Sequence, residues 1–221
     1  MTDGLEEALS LERIGRYIIW AGGARNRAFD LYALNTRLSE SLYVPLQMLE
    51  IALRNRIHAV ISETAGPGWF QIPGFLVGSY QNEQVSSAIN DLERTSKPAT
   101  PGQIVASLTF SFWTTMLGRH YEDLWQTTLY RIARREGRKG LRRKDLAGPL
   151  TAIRLLRNRI AHHEPILAWD LYKHHTAMVQ LTEWLSPAAA VWCRSLDRFP
   201  EIFPKESIVL LDDTARQDNE C

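Results

Sequence analysis

Apolar residues recur at intervals of three and four along most of this chain, and that spacing predicts helices rather than strands. The first helix runs from about Leu5 to Trp20 and stops at Gly22-Gly23, and a second runs from about Arg25 to Tyr43 with Leu31, Leu34, Leu38 and Leu42 in step. Pro45 suits the first turn of a third, which carries Leu46, Leu49, Leu53, Ile57 and Val60 on one stripe. The breaker-rich Gly66-Pro67-Gly68-Trp69-Phe70-Gln71-Ile72-Pro73-Gly74 reads as a loop, too aromatic to stand free in water. A polar helix from about Ser79 to Thr95 follows, and then Ile104 to Leu117, which is nearly free of charge and reads as the most buried helix. Tyr121 to Arg135 resumes the pattern, Arg143 to His163 carries it past Gly148-Pro149 as a kink or a late start, and Ala168 to Leu185 and Pro187 to Leu196 complete it. The expectation is an all-α bundle of about eight helices with flanking helices.

The length of 221 residues and a hydrophobic content of 45% allow one substantial core. We expect a single domain over residues 1–198 and a loosely attached tail over 199–221, where Pro200, Pro204 and an acidic polar end break the pattern. The aromatic residues Trp69, Phe70, Phe110, Phe112, Trp113 and Trp125 read as core rather than as platforms for bases. Cys193 and Cys221 make no disulfide framework and fit a reducing compartment. No apolar run approaches the roughly 18 residues of a membrane span, and the acidic start lacks a signal-peptide layout. These features lead to the expectation of a cytoplasmic protein with no membrane partner.

Net charge is +1, from 26 basic and 25 acidic side chains, so bulk charge cannot hold a nucleic acid. Local clustering can. Arg131, Arg134, Arg135, Arg138, Lys139, Arg142, Arg143 and Lys144 fall within fourteen positions, relieved only by Glu136. They read either as a solvated face or as a contact surface for an RNA backbone.

The chemistry concentrates in Leu156-Arg157-Asn158-Arg159-Ile160-Ala161-His162-His163-Glu164-Pro165-Ile166. Pro165 disfavours helix at Glu164, so His162 and His163 fall in the last turn, where unpartnered carbonyls and the negative end of the macrodipole favour a cationic donor. Asn158 and His162 share a face, whereas Arg157 and His162 lie about 140° apart. A lone helix therefore offers these groups loosely, and a second copy packed against it would complete the site. The plainer reading of His162 is a histidine that caps carbonyls, that of Arg157 a surface ion pair, and that of Asn158 a local backbone bond. His174-His175 could join His162 and His163 around a metal, but neighbouring histidines face apart on a helix and no familiar ligand spacing is completed. No metal or cofactor is expected.

The pentapeptide Leu-Arg-Asn-Arg-Ile occurs twice, at 53–57 and at 156–160. It is either a chance recurrence in two arginine-bearing helices or a sign that Glu50, Arg54 and Asn55, with Glu50 and Arg54 on one face, flank the later helix and support it.

Arg157, Asn158 and His162, with four residues between the arginine and the histidine, resemble the signature of the HEPN ribonucleases. The longer strings "LRNRIAHHEPI", "SLTFSFWTTMLGRHYEDLWQTTL" and "SLYVPLQMLEIALRNRIHAVI" resemble the Abi-like family of abortive-infection proteins, of the AbiD and AbiF kind, over roughly residues 10 to 195. The resemblance implies a HEPN fold, a role in bacterial anti-phage defence and metal-independent RNA cleavage. It also implies His162 as general acid or base, Arg157 as donor to the phosphate and Asn158 as an orienting partner. His163, with five residues between it and Arg157, fits the histidine position as well, and Glu164 would orient either ring. The family's sites are commonly built at a two-fold interface, so the expected partners are an RNA substrate and a second copy, with a possible RNA or protein antitoxin. Arg154, Arg157 and the arginines from Arg131 to Arg143 would line the shared cleft. The alternative is a module that binds RNA or nucleotide, or senses phage, without cutting.

Overall fold

The computed structural model describes residues 2–135, 137 and 140–211, and every regular element among them is a helix. The organising element is α4 (Tyr43–Ala65), which packs against α3 (Arg25–Ser41), α7 (Phe110–Thr115), α10 (Leu171–Leu185) and α11 (Pro187–Leu196). Its stripe of Leu49, Leu53, Ile57 and Ile61 is wholly withdrawn from water. Each such side chain contributes roughly 1.5–3 kcal/mol through burial, which explains why the periodicity of this segment survives intact into the fold. The remaining helices are α1 (Thr2–Leu9), α2 (Leu11–Trp20), α5 (Ser79–Arg94), α6 (Pro101–Ser107), α8 (Glu122–Thr127), α9 (Arg143–Ala161) and α12 (Phe199–Ile202).

Helix α9 begins where the Asp145 carboxylate accepts from the Arg142 amide at 2.9 Å and from its guanidinium at 2.8 Å, and it continues through Pro149. A late start after the proline is thus ruled out. An interior proline costs about 3 kcal/mol, and the buried stripe of Leu146, Leu150, Ile153 and Leu156 outweighs it. Helix α9 lies against α7 and α10, so its C-terminal turn emerges at an edge of the core.

Three expected helices are divided. Ser10, at φ 66°, separates α1 from α2 and its hydroxyl caps the Arg13 amide at 3.4 Å. Thr109 does the same between α6 and α7, accepting from the Phe112 amide at 3.3 Å. Local hydroxyl caps compete with helix continuation, a choice that apolar spacing does not register. The segment from Tyr121 to Arg135 holds only α8 and two short 3-10 turns, Arg119–Tyr121 and Leu129–Arg131.

The aromatic loop is packed, as expected: Trp69 and Phe70 are buried, and the Trp69 indole donates to His58 Nδ1 at 3.1 Å. Burial lowers the pKa of His58 and keeps it in the neutral form that accepts this bond.

The boundary expected at residue 198 does not mark a loss of packing. Phe199 is buried and stacks on the His175 ring at 4.4 Å, and α12 packs on α3. Farther on, the Leu211 amide donates to the Trp20 carbonyl at 3.1 Å and Arg27 donates to the Val209 carbonyl at 2.9 Å. The apolar residues Phe199, Ile202, Phe203 and Ile208 supply the adhesion that polar neighbours obscure in the sequence.

Candidate functional site

The last turn of α9 closes in a Schellman arrangement. The His163 amide donates to the Ile160 carbonyl at 3.0 Å and the Glu164 amide to the Arg159 carbonyl at 2.8 Å. This motif needs a left-handed residue, usually glycine. Here it is His163, at φ 57°. His162 remains on the helical ladder, its amide bonded to the Asn158 carbonyl at 2.9 Å, so the turn does not unwind to bring His162 beneath Arg157.

Three side chains hold it, two of them from other helices. Arg13 on α2 donates to the carbonyls of His163 at 2.5 Å and His162 at 3.3 Å, satisfying carbonyls that a helix end leaves open. Arg159 donates to the Pro165 carbonyl at 3.2 Å, meets the Glu164 carboxylate at 3.4 Å and lies over the Trp169 ring at 5.7 Å. Buried Asn35 on α3 accepts from the Ile166 amide at 2.7 Å. Glu164 thus holds Arg159 rather than a histidine ring. Arg13 and Asn35 were invisible to the sequence reading because they stand more than 120 residues away from their partners; Arg159 was read past because it lies inside the signature without belonging to it.

The two histidine side chains are exposed, and Arg157 and Asn158 are half-buried. The latter pair diverge. Asn158 lines a cavity of about 710 Å³ between α9 and α10, together with Arg159, Glu164, Trp169, Lys173 and His174. Arg157 turns to α4, where its charge and that of Arg54 act on Glu50. Burial is the larger influence and raises the Glu50 pKa, while the two guanidinium groups pull it back. Exposed Asn55 accepts from Arg54 Nε at 3.4 Å, and Arg54 also reaches the Ala106 carbonyl at 3.5 Å.

The basic run is not one cleft within a single chain. Arg131 pairs with Glu63, Arg142 with Asp145 at 2.8 Å, and Arg143 with Glu122 at 2.5 Å and the Leu117 carbonyl at 2.7 Å. Arg142 and Arg143 line one cavity, Arg134 and Arg135 a second, and Arg154 a third beside His120 and Tyr121. Arg138 and Lys139 lie outside the described residues. Glu63 and Glu122, distant in sequence, and Asp145 close by divide a run that looks continuous in one dimension.

His174 and His175 take separate partners. His174 faces Trp169 at 5.5 Å, and burial lowers its pKa; His175 meets buried Asp197 at 2.5 Å. Among the described residues no group of three or more histidine, cysteine or acidic side chains is placed to share a metal ion. Likewise, no described helix is long and apolar enough to cross a membrane. Buried Cys193 has its thiol pushed up to about 11, chiefly by burial, which leaves it a poor nucleophile.

What the arrangement offers chemically is a cationic donor backed by a carboxylate, an amide, and two water-accessible imidazoles on a turn pinned from three sides. No family model, curated protein or solved structure matches the chain.

Proposed function

We propose that this protein is a metal-independent endoribonuclease of the HEPN type, acting in the cytoplasm in abortive infection against phage, with Arg157, Asn158 and His162 as its catalytic set. One observation carries the reading: exposed His162 sits on a turn that Arg13, Arg159 and Asn35 hold in place, while Arg157 on the same helix stands beside Glu50 and Arg54. These ties fix the backbone of the turn that carries His162, and a fixed backbone serves chemistry at a set position.

RNA supplies its own nucleophile. His162 takes the proton from the 2′-hydroxyl, the 2′-oxygen attacks phosphorus, and the P–O5′ bond breaks as a proton reaches the leaving oxygen. Arg157 neutralises the added charge of the phosphorane through its forked donors, and Asn158 orients the phosphate or the ring. The products carry a 2′,3′-cyclic phosphate and a 5′-hydroxyl. Arg157 and Asn158 face different sides of α9, and Arg157 lies about 140° from His162 around the helix. A complete set around one phosphate therefore draws on a second copy related by two-fold symmetry.

The test is to express the intact chain, Arg157→Ala and His162→Ala, and to analyse RNA ends from the purified proteins in excess chelator. The proposal expects growth arrest and cyclic-phosphate ends from the intact chain alone, with undiminished helical circular dichroism in both variants. Full activity in both variants would overturn the assignment. Binding of RNA with no cleavage would mark a non-cutting module instead, and dependence on an added divalent ion would replace the mechanism.

A further inference from the structure

We propose that the cavity between residues 132–135 and the C-terminal end of α10 binds an oligophosphate, a group of two or more linked phosphates. The cavity measures about 650 Å³, within the range of small-ligand sites. Arg56, Arg134 and Arg135 line it from two separate parts of the chain, beside Trp184.

Among the described residues, no acid is ion-paired with any of the three. Arg56 spends Nε and Nη2 on the carbonyls of Ile132 at 3.1 Å and Arg131 at 3.0 Å, which fixes the guanidinium without neutralising it. Arg135 lies over the Trp184 ring at 5.6 Å, and its Nε is shielded from water with no acceptor among the described residues. A buried donor in that condition carries a desolvation penalty that an anion's oxygen would remove. The acid in the lining, Glu183, is held by Arg194 at 2.7 Å, and nearby Asp145, which feels the Arg135 charge, is held by Arg142. Exposed Arg134 has an ion pair with no described acid, and its amide bond to the Trp184 carbonyl at 2.8 Å ties the loop to α10.

Three like charges converging on one concave space repel one another until a multivalent anion arrives. Arg134 and Arg135 bring forked donors and Arg56 adds its fixed charge, around a cavity of about 650 Å³ that one phosphate does not fill. Arg135 already covers one face of the indole, so recognition rests on phosphate charge rather than on a stacked base. The site is separate from Arg157 and His162, and the inference stands or falls independently of RNA cleavage.

The experiment is calorimetric titration of the full chain with pyrophosphate, ATP, inorganic phosphate and adenosine as probes. Expected are saturable one-to-one binding of pyrophosphate or ATP that weakens with salt, weaker binding of inorganic phosphate and none of adenosine. ATP binding more tightly than pyrophosphate identifies a nucleotide as the source, and the reverse identifies free oligophosphate. Arg134→Gln and Arg135→Gln should each weaken binding about tenfold, while Arg157→Ala leaves it unchanged. Arg134 is exposed, so its variant tests the site even if Arg135→Gln unfolds. The proposal is overturned by no saturable binding of either oligophosphate at millimolar concentration. Binding undiminished in Arg134→Gln, or reduced as much by Arg157→Ala as by the cavity variants, overturns it equally.

Discussion

Replacing His163 by glycine should stabilise the protein and, on the proposed mechanism, leave RNA cleavage intact. His163 is the left-handed residue of the turn, at φ 57°, and holds that conformation through backbone bonds: its amide to the Ile160 carbonyl at 3.0 Å and its carbonyl from Arg13 at 2.5 Å. Glycine keeps both bonds. The side chain is exposed, so its removal forfeits little burial. A non-glycine residue in the left-handed region costs about 1–2 kcal/mol, and the extra freedom of glycine in the unfolded chain returns about 0.5–1 kcal/mol of that. The net gain is on the order of 0.5–1 kcal/mol, or a rise of about 1–4 °C in Tm for a protein of this size. Urea and thermal unfolding measure the stability, and an RNA cleavage assay on the same preparation measures the chemistry. Destabilisation by more than about 1 kcal/mol would refute the strain argument, whose scale is set by the left-handed penalty. A stable variant that no longer cuts would move the catalytic role from His162 to His163, the second histidine compatible with the signature.

Asn35→Ala should cost about 1–3 kcal/mol, because it strands the buried Ile166 amide; a urea midpoint unchanged from that of the intact chain would show that this tie is dispensable. Glu50 binds its proton more readily folded than unfolded, so its contribution is greatest below the unfolded value of 4.5 and declines as the pH rises through the raised folded value. Glu50→Gln should abolish that decline in a series of unfolding curves, and a decline of the same size in the variant would show that another group causes it. Taking away a neighbouring cation with Arg157→Ala should push the Glu50 titration higher still by NMR, and an unmoved titration would contradict the pairing of the two side chains. If one site draws on two copies, adding an excess of His162→Ala chains to the intact protein should depress cleavage faster than dilution does; a strictly proportional fall would indicate that each chain cuts alone.

The helices of this protein were legible because long apolar stripes such as Leu49, Leu53, Ile57 and Ile61 declare their own period, and burial rewards that period wherever the helix packs. The end of α9 was legible only to within a turn: Pro165 predicts a stop after His163, whereas the helix ends at Ala161 and left-handed His163 closes it. Local chemistry at Ser10 and Thr109 was present in the sequence yet undecided there, because a hydroxyl caps a helix only when the backbone turns to meet it. The candidate site divides along the same line. Its proposed residues Arg157, Asn158, His162 and His163 stand in one short stretch of sequence, and the recurrence of Leu-Arg-Asn-Arg-Ile singled out Glu50 and Arg54. Tertiary structure alone decided that Arg13 and Asn35 would hold the turn, that Glu164 would serve Arg159, and that the basic run would be split by Glu63, Glu122 and Asp145. Periodicity and chain sterics act over a few residues and are written in order along the sequence, whereas hydrogen-bond and charge partners are chosen by which surfaces the packed helices bring together.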